Sequence, residues 1–151
     1  MAYLGLGSNL GNKSENLRQA IEQIEKQVGT VVSRSAFYHT EPWGYQSEHA
    51  FVNAVLAVRT TLTPFQLLQR TQEIERQLGR TEKTRSGQVY ADRLIDIDIL
   101  FYDDIVLCTP ELVIPHPRIA ERPFVLQPLT EIASEYVHPS YQETIAALYR
   151  K

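Results

Sequence analysis

Thr63, Pro64 and Gln66 mark one boundary in this chain more firmly than any other feature. A threonine able to cap, a proline at the first helical position and a glutamine three residues past the cap all signal the same helix start. Leu67, Leu68, Thr71, Ile74 and Leu78 follow at helical spacing, and Gly79 stands where such a helix stops. Strand-like runs lie on both sides. In residues 51–61, Val52, Ala54, Leu56 and Val58 share one face, and Phe51, Asn53 and Val55 the other. Residues 93–102 read RLIDIDILFY: Ile95, Ile97, Ile99 and Phe101 form a core stripe, which leaves Asp96 and Asp98 together on the opposite face with Leu94 and Leu100.

The N-terminal half repeats this alternation. Tyr3 to Leu6 begins as a buried strand, GSNLGN supplies a turn, and a helix starts near residues 12–14. Leu17, Ala20, Ile21, Ile24 and Val28 make its apolar stripe, with Gly29 placed to end it. A second strand is expected over residues 30–38, and residues 80–92 show no period and read as a loop. A short LVIPHPR segment, FVLQPLTEIA and a last helix over residues 143–149 complete the chain. The order β-α-β-β-α-β predicts an α+β, ferredoxin-like sandwich with an antiparallel sheet and a C-terminal extension. With 151 residues, one domain spanning 1–151 is expected.

Composition excludes several classes. A formal net charge of -3 argues against a general nucleic-acid binder, which draws its affinity from a basic surface. Cys108 is the only cysteine, so neither an intrachain disulfide nor a zinc-finger or CxxC pattern exists, and it reads as a small core or turn residue. Neither an export signal nor an apolar run of spanning length is found, so a cytoplasmic protein without a membrane partner is expected.

Two same-face carboxylates on a strand lie about 6–7 Å apart. They are either a solvated face or a site for Mg²⁺, which takes one or two protein oxygens together with phosphate oxygens and water. GLGSNLGN lacks the ending of a P-loop and the acidic partner of a dinucleotide fingerprint, so its glycines read as a tight strand-to-helix turn. Arg118 and Lys83 read as solvated surface. Arg80, Arg93, His116 and Arg122 instead abut motifs, and guanidinium forks beside paired acids suit a polyphosphate. Phe51, Asn53 and Phe124, with the loop carrying Thr40, Trp43 and Gly44, are either core or a clamp for a flat heterocycle.

RLIDIDIL with PHPRIAERPFVLQPLTEIA, GSNLGN, and FVNAVLAV after a TEPWG loop together resemble the 6-hydroxymethyl-7,8-dihydropterin pyrophosphokinases of folate biosynthesis. The resemblance runs from Gly5 to about Glu135. It implies Mg²⁺-dependent transfer of the β,γ-pyrophosphoryl group of ATP to the pterin hydroxymethyl oxygen, with release of AMP. It further implies that Asp96 and Asp98 hold two Mg²⁺ ions and that Arg80 and Arg93 stabilise the phosphates. Gln72, Glu75, Arg85 and His116 would contact the nucleotide, and Ile99 would offer its backbone to adenine. Phe51 and Phe124 would stack on the pterin, with Asn53, Thr40, Arg122 and the backbone at Trp43 and Gly44 around it. Residues 81–92 would form a lid. The chain departs from the family at Val89, Tyr90, Ala91 and Asp92, where a basic residue followed by x-Gly-Pro is frequent, and at Glu82, where some members are basic. No general base is nominated, and a monomer is expected. The rival readings are a non-catalytic ferredoxin-like binding module and a two-metal nucleotidyl transferase that releases pyrophosphate.

Overall fold

The structure is a computed structural model that describes residues 1–40, 51–79 and 94–151. Strand β1 (Ala2–Ser8) runs into α1 (Lys13–Gln27), followed by β2 (Gly29–Arg34), β3 (Tyr38–Thr40) and β4 (Phe51–Thr60). Helix α2 (Pro64–Leu78) then leads towards β5 (Asp96–Tyr102). The sheet order is β2-β4-β1-β5, with β3 also paired to β4, and every pairing is antiparallel. A small ribbon of β6 (Leu107–Cys108) and β7 (Val113–Ile114) precedes helices α3 (Pro123–Ala133) and α4 (Ile145–Arg150).

Local chemistry accounts for the helix starts. Asn12 caps α1 by accepting from the Glu15 N–H at 3.2 Å, and Asn16 ties the preceding turn by donating to the Leu10 carbonyl at 2.9 Å. Thr63 and Gln66 form the reciprocal capping box read from the sequence, at 3.2 and 2.9 Å. Gly79 caps α2 with an extended φ of 174°, and what requires glycine there is packing: an added Cβ would lie 2.7 Å from Leu94 Cβ.

Two apolar layers sandwich the sheet. Leu4, Leu6, Val52, Ala54, Leu56, Val58, Ile97 and Ile99 face Leu17, Ala20, Ile24, Leu67 and Ile74 of α1 and α2. On the other face, Val55, Leu100 and Phe101 meet Val125, Leu126 and Leu129 of α3 and Ile145 and Leu148 of α4. The C-terminal helices thus cover that face at the Val55–Leu100 end of the sheet.

Phe101 does not continue the stripe of Ile95, Ile97 and Ile99. The register between β1 and β5 shifts between Tyr3 and Leu4, so Phe101 pairs with Tyr3 and joins Leu100 on the α3 face, where its ring meets Tyr136 at 4.6 Å. The single strand expected over 30–38 is two, broken after Arg34. Gly29 opens β2, α1 being capped by Val28. Gly5 and Gly7 lie inside β1, and the turn is made by Gly11, whose φ is +64°. Cys108 is exposed on β6 and belongs to neither core nor turn.

Candidate active site

Gly7 pairs with Asn53 on one side and with Asp96 on the other, while Gly5 pairs with Val55 and Asp98. Directly paired residues point to one face of an antiparallel sheet, so Asn53 and Asp96 share a face across two strand spacings, about 9–10 Å. The residue paired between them is a glycine. A Cβ at Gly7 would come within 2.9 Å of Asn53 Oδ1 and 3.6 Å of the Phe51 ring, and one at Gly5 would touch Leu100 at 3.4 Å. The two glycines thus leave the space above them to the Asn53 amide, the Phe51 ring and the Leu100 side chain, which pack down onto β1.

On the acidic side, Asp96 and Asp98 are partly exposed, while the alternate residues Ile97 and Ile99 are buried. Among the described residues no three His, Cys, Asp or Glu side chains converge on one point. The donor set is thus a carboxylate pair, which fits Mg²⁺ completed by phosphate and water oxygens and does not fit a closed structural zinc site.

Strand β5 is an edge of the sheet, and its outer rim is held by α2. Glu75, only 5% exposed, accepts the Ile97 N–H on Oε2 at 2.7 Å. The peptide between the two acids is thereby pinned. Residues two apart direct their backbone groups to the same edge, so those of Ile99 also face outward while its side chain is buried. Gln72, one turn before Glu75, is exposed. Glu75, expected among the nucleotide contacts, is thus buried and braces the Ile97 peptide.

His116 and Arg122 approach from the C-terminal segment. His116 Nδ1 accepts the Arg118 N–H at 3.3 Å, and the His116 backbone N–H donates to the Leu100 carbonyl at 3.0 Å. In the neutral ring that leaves the proton on Nε2, which is then a donor. Burial holds His116 below the usual imidazole range, Arg122 lowers it further, Asp96 opposes the shift, and Arg118 adds to the lowering. Arg122 lies 5.7 Å over the Phe124 ring, and its buried Nε has no hydrogen-bond acceptor among the described residues. Arg118 is exposed, as expected.

The fold thus gathers Phe51, Asn53, Asp96 and Asp98 on one face, with His116, Arg122 and Phe124 on the segment packed against it. Thr40 pairs with Phe51 through β3. Trp43, Gly44, Arg80, Arg85 and Arg93 lie outside the described residues, as does the expected lid. Sequence reasoning missed the packing over Gly5 and Gly7 and the burial of Glu75. The signal for the first was a glycine pair spaced by two inside a strand, which places both on one face. The second was masked because Glu75 lies next to the helix stripe without being apolar.

The family model for 7,8-dihydro-6-hydroxymethylpterin-pyrophosphokinase matches residues 3–134. The 2-amino-4-hydroxy-6-hydroxymethyldihydropteridine pyrophosphokinase of Porphyromonas gingivalis is 48% identical over 140 residues, which cover 92% of this chain and 94% of that protein. The protein of the same name from Bacillus subtilis is 41% identical over 136 residues, 89% of this chain and 79% of that one. A Plasmodium falciparum HPPK-DHPS structure aligns with a TM-score of 0.82 at 20% identity, covering 99% of this chain and 44% of that one, a likeness of fold. On the family match and these identities, the chain belongs to the 7,8-dihydro-6-hydroxymethylpterin-pyrophosphokinase family.

Proposed function

We propose that this protein transfers the pyrophosphoryl group of ATP to 6-hydroxymethyl-7,8-dihydropterin with Mg²⁺, releasing AMP, as a step of folate biosynthesis. The observation that carries the reading is the row Asn53–Gly7–Asp96, which sets an amide and a carboxylate on one sheet face with a glycine paired between them. A planar heterocycle fits the Asn53 side, beside the rings of Phe51 and Phe124. A triphosphate fits the acidic side.

In the reaction, the pterin hydroxymethyl oxygen attacks the β-phosphorus. The bond from that phosphorus to the α,β-bridging oxygen breaks, AMP leaves, and the hydroxyl proton passes to solvent. Asp96 and Asp98 would hold Mg²⁺, with two ions expected, and the metal supplies charge neutralisation of the triphosphate when bound. His116 offers its Nε2–H to the transferred phosphates, and Arg122, over the Phe124 ring, is assigned to the pterin. Arg80, Arg93 and Arg85 are assigned to the phosphates, Thr40, Trp43 and Gly44 to the edge of the pterin, and the outward backbone of Ile99 to adenine. Gln72 is assigned to the nucleotide from its exposed place on α2, whereas Glu75 acts through the Ile97 peptide. Because phosphoryl transfer needs mainly positioning and charge stabilisation, no side chain is assigned as general base.

The strand order β2-β4-β1-β5, with β2 and β3 read as one interrupted strand, supports the ferredoxin-like topology. We assign residues 1–151 to a single pyrophosphokinase domain, working as a cytoplasmic monomer without a nucleic-acid or membrane partner. No helix among the described residues is long and apolar enough to cross a membrane.

The test is a mixture of protein, MgATP and the pterin, resolved by chromatography, with EDTA and pterin-free controls. AMP formed only when both metal and pterin are present supports the reading. Release of pyrophosphate would favour a nucleotidyl transferase, and no turnover together with no pterin binding would favour a binding module.

A further inference from the structure

The edge formed by β2 and β3 is interrupted. Ser35 still exchanges hydrogen bonds with β4: its N–H reaches the Val55 carbonyl at 2.9 Å, and its hydroxyl accepts the Val55 N–H at 2.9 Å. Regular pairing resumes only at Tyr38, opposite Asn53. The gap is spanned from the other face. Glu131 of α3 accepts the Ala36 N–H on its two carboxylate oxygens, at 3.0 and 3.1 Å, and the Tyr38 hydroxyl on Oε1 at 2.7 Å. A negative charge in the last turn of a helix is disfavoured by the macrodipole, so the helix itself gives no reason for an acid there. The Tyr38 phenol is raised above its ordinary range, first by that hydrogen bond.

We propose that Glu131 is a positioning residue for the heterocycle site, clamping β3 against β4 so that Asn53 keeps its place beside Gly7. The inference rests on the pterin reading above. Tyr38 and Asn53 are direct partners, and Thr40 pairs with Phe51, so a displacement of β3 is passed to both residues assigned to the ring. Asn53 has little slack, since its Oδ1 already occupies the space where a residue with a side chain would stand at position 7. The carboxylates of the triphosphate side are on β5, separated from β3 by β4 and β1. Loss of the clamp should therefore affect one substrate and spare the other.

The experiment is steady-state kinetics with pterin and MgATP varied separately, for wild type, Glu131→Ala, Glu131→Gln, Tyr38→Phe and the double variant of Glu131→Ala with Tyr38→Phe. Loss of a charge-assisted contact predicts that Glu131→Ala raises the pterin KM about fivefold and changes the ATP KM less than about twofold. Tyr38→Phe moves the pterin KM in the same direction by less, because the Ala36 contact survives. The double variant is no worse than Glu131→Ala alone, as expected of two groups in one network. An unmoved pterin KM, or equal rises in both KM values, overturns the clamp. Should Glu131→Ala fail to fold, Glu131→Gln and Tyr38→Phe make the same comparison. A wild-type protein that makes no AMP overturns the functional reading and the clamp with it, whereas an active wild type with unmoved variants overturns the clamp alone.

Discussion

A methyl group at residue 7 would sit 2.9 Å from Asn53 Oδ1, closer than real Cβ contacts allow, so the amide would have to move. Gly7→Ala is therefore expected to raise the pterin KM and, as an overpacked site, to lower stability by about 1–3 kcal/mol. Substrate titration and thermal unfolding of the variant check both halves, and an unchanged pterin KM would show that the Asn53 position is unimportant. The residue scale also shows what one sequence can reveal. Asp96 and Asp98 were legible because a period of two puts them opposite a run of isoleucines. Gly7 was misread because GSNLGN satisfies a turn as well as the end of a strand, and only the pairing register tells which glycine does which. Cys108 was misplaced for a related reason: a single small residue carries no periodicity.

At the scale of elements, the contact that matters most is α2 on the edge of β5. Glu75 is a buried carboxylate whose acceptor oxygen meets the Ile97 N–H, midway between the two acids. Glu75→Ala leaves that donor without its acceptor and is expected to cost about 1–3 kcal/mol, while loosening the acids enough to weaken MgATP turnover. Glu75→Gln keeps a neutral acceptor and should retain more of both. Denaturant unfolding and turnover at saturating pterin test the pair, and equal loss in the two variants would show that charge, not the backbone bond, is what Glu75 supplies. Helices α1 and α2 were readable from caps and spacing. The break between β2 and β3 was not, because it depends on Ser35 hydrogen-bonding β4 and on Glu131 arriving from α3, 95 residues away from Ala36. The shift of Phe101 has the same origin, since a bulge is set by the partner strand.

For the whole molecule, the C-terminal segment closes one face of the sheet around a polar-tipped aromatic cluster. Tyr136 donates to the Asp103 carbonyl at 2.5 Å, and its phenol is pushed up to about 12, chiefly by burial. His138 is buried with its ring edge-on to Phe101 at 5.4 Å and stacked on Tyr141 at 4.3 Å, and its Nδ1 accepts from the Ser140 and Tyr141 N–H groups. Burial lowers the His138 pKa below 6.5, and a backbone hydrogen bond opposes the shift. The native state therefore binds its proton later than the unfolded chain does. Stability from this group is complete above about pH 6.5 and is lost as pH falls from there through the lowered native value. Thermal unfolding between pH 8 and pH 5, in the absence of substrates, should show this decline, and His138→Asn should flatten it; an identical slope in the variant would assign the decline elsewhere, with His116 next in line.

Under the proposed function, the carboxylate pair on β5 serves pyrophosphoryl transfer to a pterin. The most direct test of that role follows ATP labelled at the β-phosphorus through one reaction with Mg²⁺ and 6-hydroxymethyl-7,8-dihydropterin, for wild type, Asp96→Ala and Asp98→Ala. Wild type is expected to move the label onto the pterin and to leave unlabelled AMP. Each aspartate variant should lose at least about a thousandfold in rate, the several kcal/mol that metal binding supplies, while keeping its unfolding midpoint. Label that stays in ADP or in free pyrophosphate, or variants that turn over like wild type, would contradict it.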